Sequence, residues 1–290
     1  MLSRFILLIS ALALTGGLFA QTNATPAEWS EPFPPHRIIG NIDYVGSRDL
    51  ASYLITTPAG YILINSNLKT SGPMLQANVE KLGFRFADVK ILLISHAHFD
   101  HDGGNAEVKK LTGAIYMVMD GDVRVVESGG TSDFQYGHDP TSLYPVAKVD
   151  RVLHDGEEVK LGDTALTAHK TAGHTRGCTT WSLKVRDANK LYDVVIVGSP
   201  NVNPGYKLVN HSVYPEIAED YAYGFRLLKS FPCDVFLGAH GSYFGMEAKY
   251  AKFGAGGTNP YIDPEGYQEY VADREQAFVQ ELQTQRATAK

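Results

Sequence analysis

The chain is short of several things, and each shortage narrows what it can be. Among 290 residues there are two cysteines, Cys178 and Cys233. They permit at most one disulfide, in an oxidising compartment, and they read more plainly as two small buried hydrophobes. Positive charge is scarce and scattered. Lys and Arg number 26 against 32 Asp and Glu, for a net charge of -6 and a pI of about 5.9. No basic stripe is present, which argues against nucleic acid as a partner. No long apolar run occurs after residue 20, so no membrane span is expected in the mature protein. No linker-like tract interrupts the rest, and residues 21–290 are expected to form one domain.

What is present is ordinary globular composition, 44% hydrophobic and 20% charged, enough for a sizeable core. The first twenty residues differ. Met1 to Arg4 carry one positive charge and precede FILLISALALTGGLFA, a short apolar run broken by Gly16 and Gly17. This is the pattern of a secretory signal peptide over 1–20, cleaved near Ala20, with a periplasmic or secreted product.

Residues 21–36 are polar and Pro-rich and read as an extended arm. Short apolar runs, IDYVG, ASYLITT and YILINS, then alternate with turns as the strands of a meander do. Over 71–83, Met74, Leu75, Val79 and Leu82 fall at helical spacing, closed by Gly83. The run from Val89 to Ser95 is continuously apolar but for its Lys and final Ser, and reads as a strand buried on both faces. A short helix over 103–113, a strand over 114–119 and a segment of part helix, part long loop follow. Strands are expected near VDRVLHD, ALTAHKT, CTTWSLKV and LYDVVIVGS, a helix over 214–231, and a strand in CDVFLGAHG. A final amphipathic helix opens at Asp263-Pro264. Strands, helix, strand, helix thus occur twice, which predicts an α/β protein of two similar halves, each a sheet with outer helices.

The Val89–Ser95 strand runs straight into SHAHFDHDG. His174 and His240 also fall at or just past the ends of strand-like runs, with glycines close by to admit a ligand. His96 and His98, at i and i+2 of an extended segment, share a side. Asp100 and His101 follow closely enough to aim at a neighbouring point. One short loop can therefore serve two metal ions, with His174 and His240 each available to complete a site. Imidazole and carboxylate suit zinc, and three protein ligands leave a position open for water, the mark of catalysis. A lone histidine in a polar loop more often meets solvent. H-x-H-x-D-H after a buried strand, with two more strand-end histidines downstream, does not fit that reading. His36, His138, His154, His169 and His211 lack such a context and are read as structural or surface residues. Asp102 adjoins the cluster outside the motif and is read as a bystander.

H-x-H-x-D-H resembles the signature of the metallo-β-lactamase superfamily, and the likeness covers essentially the whole mature chain. ILLISHAHFDHDGG, TAGHTRGCTTW, NPGYKL and FLGAHGSYF are similar to class B β-lactamases of the third subclass. The resemblance implies a four-layer αββα sandwich built from two similar halves. It implies two Zn²⁺ ions, the first held by His96, His98 and His174, the second by Asp100, His101 and His240. Many superfamily members place a bridging aspartate where this chain has Ser199, and the first β-lactamase subclass places a zinc-binding cysteine there. Serine is a poor zinc ligand, so in the family's terms His101 supplies what the second ion would lack. His96 separates the chain from the second subclass, where asparagine takes that place. A cysteine that some relatives pair with that of the FPCDVF segment is missing, so Cys233 is expected to be free.

The same resemblance implies a reaction. A hydroxide shared by two zinc ions attacks the β-lactam carbonyl of penicillins, cephalosporins or carbapenems, conferring antibiotic resistance. Asp100 acts as ligand and as orienter of the hydroxide. Ser199, Asn203 and Tyr206 match the positions that bind the substrate carboxylate, which hydroxyl and amide donors suit. The loop Ser132–Tyr136 and the arm of Trp29 and Phe33 are expected to wall the groove. The implied partners are a small-molecule substrate and zinc, with the protein a monomer. Another dizinc hydrolase of this fold, a lactonase or thioesterase, is the alternative, and Ser199 argues against it.

Overall fold

A computed structural model describes residues 25–254 and 256–289. The expected signal segment, 1–20, lies outside the described residues. The first sheet has seven strands in chain order. They are β1 (His36–Ile39), β2 (Ile42–Tyr44), β3 (Tyr53–Thr57), β4 (Gly60–Ile64), β5 (Val89–Leu93), β6 (Ile115–Met119) and β7 (Arg151–Leu153). Strands β1 to β4 form an antiparallel meander, with tight turns after β1 and β3 and a longer loop, residues 45–52, between β2 and β3. From β4 to β7 the strands run parallel, which requires crossovers. Helix α1 (Gly72–Lys81) crosses from β4 to β5, and α2 (Phe99–Asp102) with α3 (Asn105–Thr112) crosses from β5 to β6. Helix α4 (Val123–Glu127) follows β6.

The second sheet repeats the plan with five strands, in the order β12-β11-β10-β9-β8. Strands β8 (Glu158–Leu161), β9 (Thr164–Lys170), β10 (Thr179–Asp187) and β11 (Lys190–Val197) form an antiparallel meander. Helix α5 (Ile217–Leu228) then returns the chain to β12 (Val235–Gly238), which lies parallel to β11. Helices α6 (Met246–Lys252) and α7 (Pro264–Thr288) complete it. The Asp263 carboxylate caps α7 by accepting from Gly266 N–H at 2.9 Å. Among the described residues, no helix is long and apolar enough to cross a membrane.

The strand period of two assigns the layers. Tyr53, Ile55, Ile62, Ile64, Ile91 and Leu93 share a core with Leu166, Trp181 and Leu183 of the second sheet. The alternate residues Leu54, Leu63 and Leu92 face the other way, onto Leu75 and Val79 of α1 and Val108 of α3. Tyr221 and Phe225 of α5 and Phe278 of α7 pack with the second sheet. The result is the expected α/β, four-layer αββα arrangement. Strands β1 and β8 were not foreseen: HRII follows directly on the Pro-rich arm, and EVKL is half charged.

The expected strand Val89–Ser95 stops at Leu93 for a local reason. The Asn65 side-chain carbonyl takes Ser95 N–H at 2.8 Å, drawing the chain out of the ladder. There the second sheet takes hold of it. Trp181, buried on β10, donates its indole N–H to the Ile94 carbonyl at 3.1 Å, and Thr179 N–H donates to the Ser95 carbonyl at 2.7 Å. The segment that enters SHAHFDHDG is thus fixed by both sheets. Trp181→Phe leaves the buried Ile94 carbonyl unpaired, at an expected cost of about 1–3 kcal/mol in denaturant unfolding. An unchanged midpoint and slope would refute that link.

Candidate metal centre

Residues 94–98 lead from β5 into the single turn of α2, and His98, the residue before that turn, has β-region backbone. That geometry sets His96 and His98 side by side, with ring centroids 4.8 Å apart. The turn of α2 brings His101 back to 4.4 Å from His96. Gly103 permits the loop to press on its neighbours, since a Cβ there would stand 2.3 Å from the Phe99 carbonyl and 2.7 Å from Lys69 N. His174 arrives from the loop after β9 and His240 from the end of β12. Both join the cluster, His174 at 4.6 Å from His96 and His240 at 4.8 Å from His101.

Two groups of donors result. His96, His98 and His174 each place a ligand atom within 4.8 Å of the other two, as do His96, Asp100 and His101. A tighter triangle lies beside the first group. Asp100 Oδ2 is 3.2 Å from His101 Nε2 and 3.5 Å from His240 Nε2, and the two nitrogens are 3.1 Å apart. A tetrahedral ion with bonds of about 2.0–2.2 Å spans ligand edges of about 3.3–3.6 Å. The donors therefore fit a cation, and the chemistry of imidazole and carboxylate fits zinc. The Nε2 of His98 and the Nδ1 of His101 are buried without a hydrogen bond. His98 Nε2 faces Asp133 Oδ2 at 3.7 Å.

Electrostatics prepare the same groups. Burial, reinforced by the neighbouring histidines, pushes His96 well below the usual imidazole range, and His174 down to about 3. Both are neutral at neutral pH, the form that binds metal. Burial would raise the Asp100 carboxyl, but His101 and His240 hold it well below the carboxylate range. Burial likewise opposes charge on His240, yet its hydrogen bonds to Asp100 and Asp49 lift it to about 9.

Outer partners orient the rings. The Nδ1 of His174 meets the Asn201 carbonyl at 2.8 Å, and His240 Nδ1 meets Asp49 Oδ2 at 2.8 Å. Each Nε2 is left free to face the cluster. Asp49 also accepts Ser242 N–H at 2.9 Å, and its carboxyl falls to about 2 because the His240 contacts outweigh its burial. Sequence reading missed Asp49. It lies 191 residues from its partner, in a loop between β2 and β3 without a motif.

A cleft of about 390 Å³ opens over the donors, walled by Trp29, Asp133 and Tyr136. Phe33 packs inward, edge-on to Tyr44 and Tyr250, away from this cleft. Of the three residues expected at the substrate carboxylate, Asn203 lines the cleft and donates to Tyr136 Oη at 3.0 Å. Ser199 is buried behind Tyr243, whose hydroxyl stands 3.2 Å from its Oγ. Tyr206 is buried beneath His174 and donates to that residue's carbonyl at 2.8 Å. Asn201 and Tyr243, not foreseen, face the cleft instead. Asp102 is in neither donor group. It is fully buried and accepts from Tyr116 Oη at 2.5 Å. Both cysteines are free, and Ser199 N–H donates to Cys178 Sγ at 3.2 Å.

Two facing sheets with an open histidine and carboxylate cluster at their strand ends define a metal-dependent hydrolase scaffold. A family model described as the metallo-beta-lactamase superfamily matches residues 48–188. Native FEZ-1 metallo-beta-lactamase from Legionella gormanii is 54% identical, with a TM-score of 0.88, over 89% of this chain and 98% of that one. BJP-1, a subclass B3 metallo-beta-lactamase of Bradyrhizobium japonicum, is 38% identical, with a TM-score of 0.85, over 91% of this chain and 99% of that one. The chain belongs to the metallo-β-lactamase superfamily, and its solved neighbours include subclass B3 enzymes. A curated relative, the hydroxyacylglutathione hydrolase of Methylococcus capsulatus, is 29% identical over 125 residues. That match spans 43% of this chain and 40% of the relative, less than half its length.

Two outcomes follow for the Asp49–His240 pair. Asp49→Asn should weaken any metal bound at the Asp100, His101 and His240 triangle by about 10–100-fold in chelator competition. In the metal-free protein, the raised His240 contributes stability that is complete below 6.5 and lost as pH climbs through about 9. Metal must displace that proton, so its apparent affinity at this site should rise between pH 7 and 9. A flat affinity profile would contradict the pairing.

Proposed function

We propose that the protein is a dizinc β-lactamase that hydrolyses the β-lactam amide of penicillins, cephalosporins and carbapenems. The observation that carries this reading is the triangle of Asp100, His101 and His240, with Ser199 outside it. The strand-end position that elsewhere in the superfamily carries a bridging aspartate here holds a serine turned onto Tyr243. His96, His98 and His174 would hold one zinc ion, and Asp100, His101 and His240 the other. The likeness to FEZ-1 over nearly the full length supports the same substrate class.

Zinc at such a site supplies Lewis acidity and brings bound water to a pKa of about 7. The chain's own residues supply the rest. Asp100, kept anionic by its histidines, accepts a hydrogen from the attacking water and orients it. Trp29, 5.7 Å from the His240 ring, and Tyr136, 5.2 Å from that of His98, supply apolar walls to the cleft. The Asn203 amide and the Tyr243 hydroxyl are donors at the cleft wall suited to a substrate carboxylate. The apolar leader over 1–20 supports action in the periplasm or outside the cell.

The alternative is a thioesterase or lactonase on the same scaffold. The partial match to a hydroxyacylglutathione hydrolase favours it, and Ser199 opposes it. Zinc-loaded protein should open penicillins, cephalosporins and carbapenems, with loss of their ultraviolet absorbance, and a chelator should abolish turnover. Hydrolysis of thioesters or lactones alone would transfer the assignment to the alternative. His101→Ala should reduce kcat/KM by more than the roughly 100-fold that loss of an outer partner costs, with the fold retained.

A further inference from the structure

We propose that Asp122 is a positioning residue, clamping together the segments that carry His96, His98 and His174 and so setting the donor geometry of one metal position. It lies in the turn between β6 and α4 and has no place in the H-x-H-x-D-H motif. Its side chain is 0% exposed, and its carboxylate accepts three hydrogen bonds. Oδ2 takes the Ala97 N–H at 2.9 Å and the Thr175 hydroxyl at 2.7 Å. Oδ1 takes the Gly177 N–H at 2.8 Å. Ala97 is the residue between His96 and His98, and Thr175 directly follows His174. One carboxylate thus grips both ligand segments, each within a residue of a donor.

The surroundings leave this grip little slack. Tyr144 Oη donates to the Ala97 carbonyl at 2.9 Å, so Ala97 is held at both polar groups of its backbone. The turn and the 175–177 segment touch backbone to backbone. A Cβ on Gly177 would stand 2.5 Å from Asp122 N, and one on Gly121 would stand 2.2 Å from the Arg176 carbonyl. Hydrogen bonds to a carboxylate are about twice as strong as neutral ones. An ångström of play in a ligand loop is enough to spoil a metal site. Asp122 therefore does for the loops what Asp49 does for the His240 ring.

The inference rests on His96, His98 and His174 being metal donors, and not on the identity of the substrate. Asp122→Asn keeps the volume but turns an amide NH₂ onto donor groups, and Thr175→Ala removes a single donor. For the full chain, zinc affinity is read by chelator competition, coordination geometry by the visible spectrum of the cobalt(II) form, and folding by metal-free melting. Asp122→Asn should bind zinc about 10–100-fold more weakly and shift the cobalt bands, with the fold retained. Its kcat at saturating zinc should fall while KM stays within about twofold. Thr175→Ala should change the same quantities in the same direction by less. Parental zinc affinity and cobalt spectrum in Asp122→Asn, whatever its melting point, would overturn the proposal. If that variant does not fold, parental values in Thr175→Ala overturn it equally. A parent that binds zinc but opens no β-lactam defeats the proposed function alone. A parent that binds no zinc defeats both.

Discussion

Five imidazoles and a carboxylate, nearly all buried, crowd into one cluster, with neighbouring histidine rings 4.4–4.8 Å apart between centroids. That crowding is the constraint on which the rest of the structure depends. Nitrogens of His101 and His240 stand 3.1 Å apart, and the buried Nε2 of His98 and Nδ1 of His101 have no hydrogen-bond partner. Burial drives His96 and His174 to their neutral forms, while Asp100 stays ionised. A metal cation in a donor group would ease these demands, because it accepts lone pairs from neutral imidazoles and offsets the carboxylate's charge. In its absence the cluster must be held together by the scaffold, against desolvation and against its own repulsion.

The two-sheet architecture supplies that force by repetition. Each half runs through an antiparallel meander, crosses by a helix and adds a parallel strand. The parallel strand of the first half, β5, ends in the loop of His96 to His101. That of the second, β12, ends in His240. His174 follows β9 of the second meander. The sheets then hold these ends in register, with Trp181 and Thr179 of β10 bonded to Ile94 and Ser95 just before the first ligand. Around this, acidic residues from remote loops, Asp49 and Asp122, fasten a ring and two loops. Tyr116 bonded to Asp102 and Tyr144 bonded to the Ala97 carbonyl tie down the same loop. A catalytic surface is rigid here because each of its parts is bonded from two sides.

Much of this was legible in the chain, and the reasons are local. H-x-H-x-D-H is one contiguous string, its i, i+2 spacing fixes a shared side, and the apolar run before it announces a buried strand. The meander strands, α1 and α5 display their periods within their own residues. The chain's polarity and its lack of basic clusters are readable without folding. The contacts of Ser199, Asn203 and Tyr206 were not. They share one loop, GSPNVNPGYKL, and hydroxyl or amide chemistry suited all three. Only Asn203 reaches the cleft, because Tyr243 covers Ser199 and His174 lies over Tyr206.

Sequence by itself determined the donor chemistry, the order of most strands and helices, and hence the family. These depend on residue type and on spacing along the chain, which the polymer carries whether or not it is folded. Tertiary structure alone decided which donors meet, which polar residues face the cleft, and which aspartates hold the ligands in place. Asp49 lies 191 residues from His240, and Asp122 lies 25 from Ala97 and 53 from Thr175. Such pairs leave no period and no motif, because what joins them is the packing of the two sheets. SHAHFDHDG marks where a metal belongs, and the folded chain decides how firmly it is held.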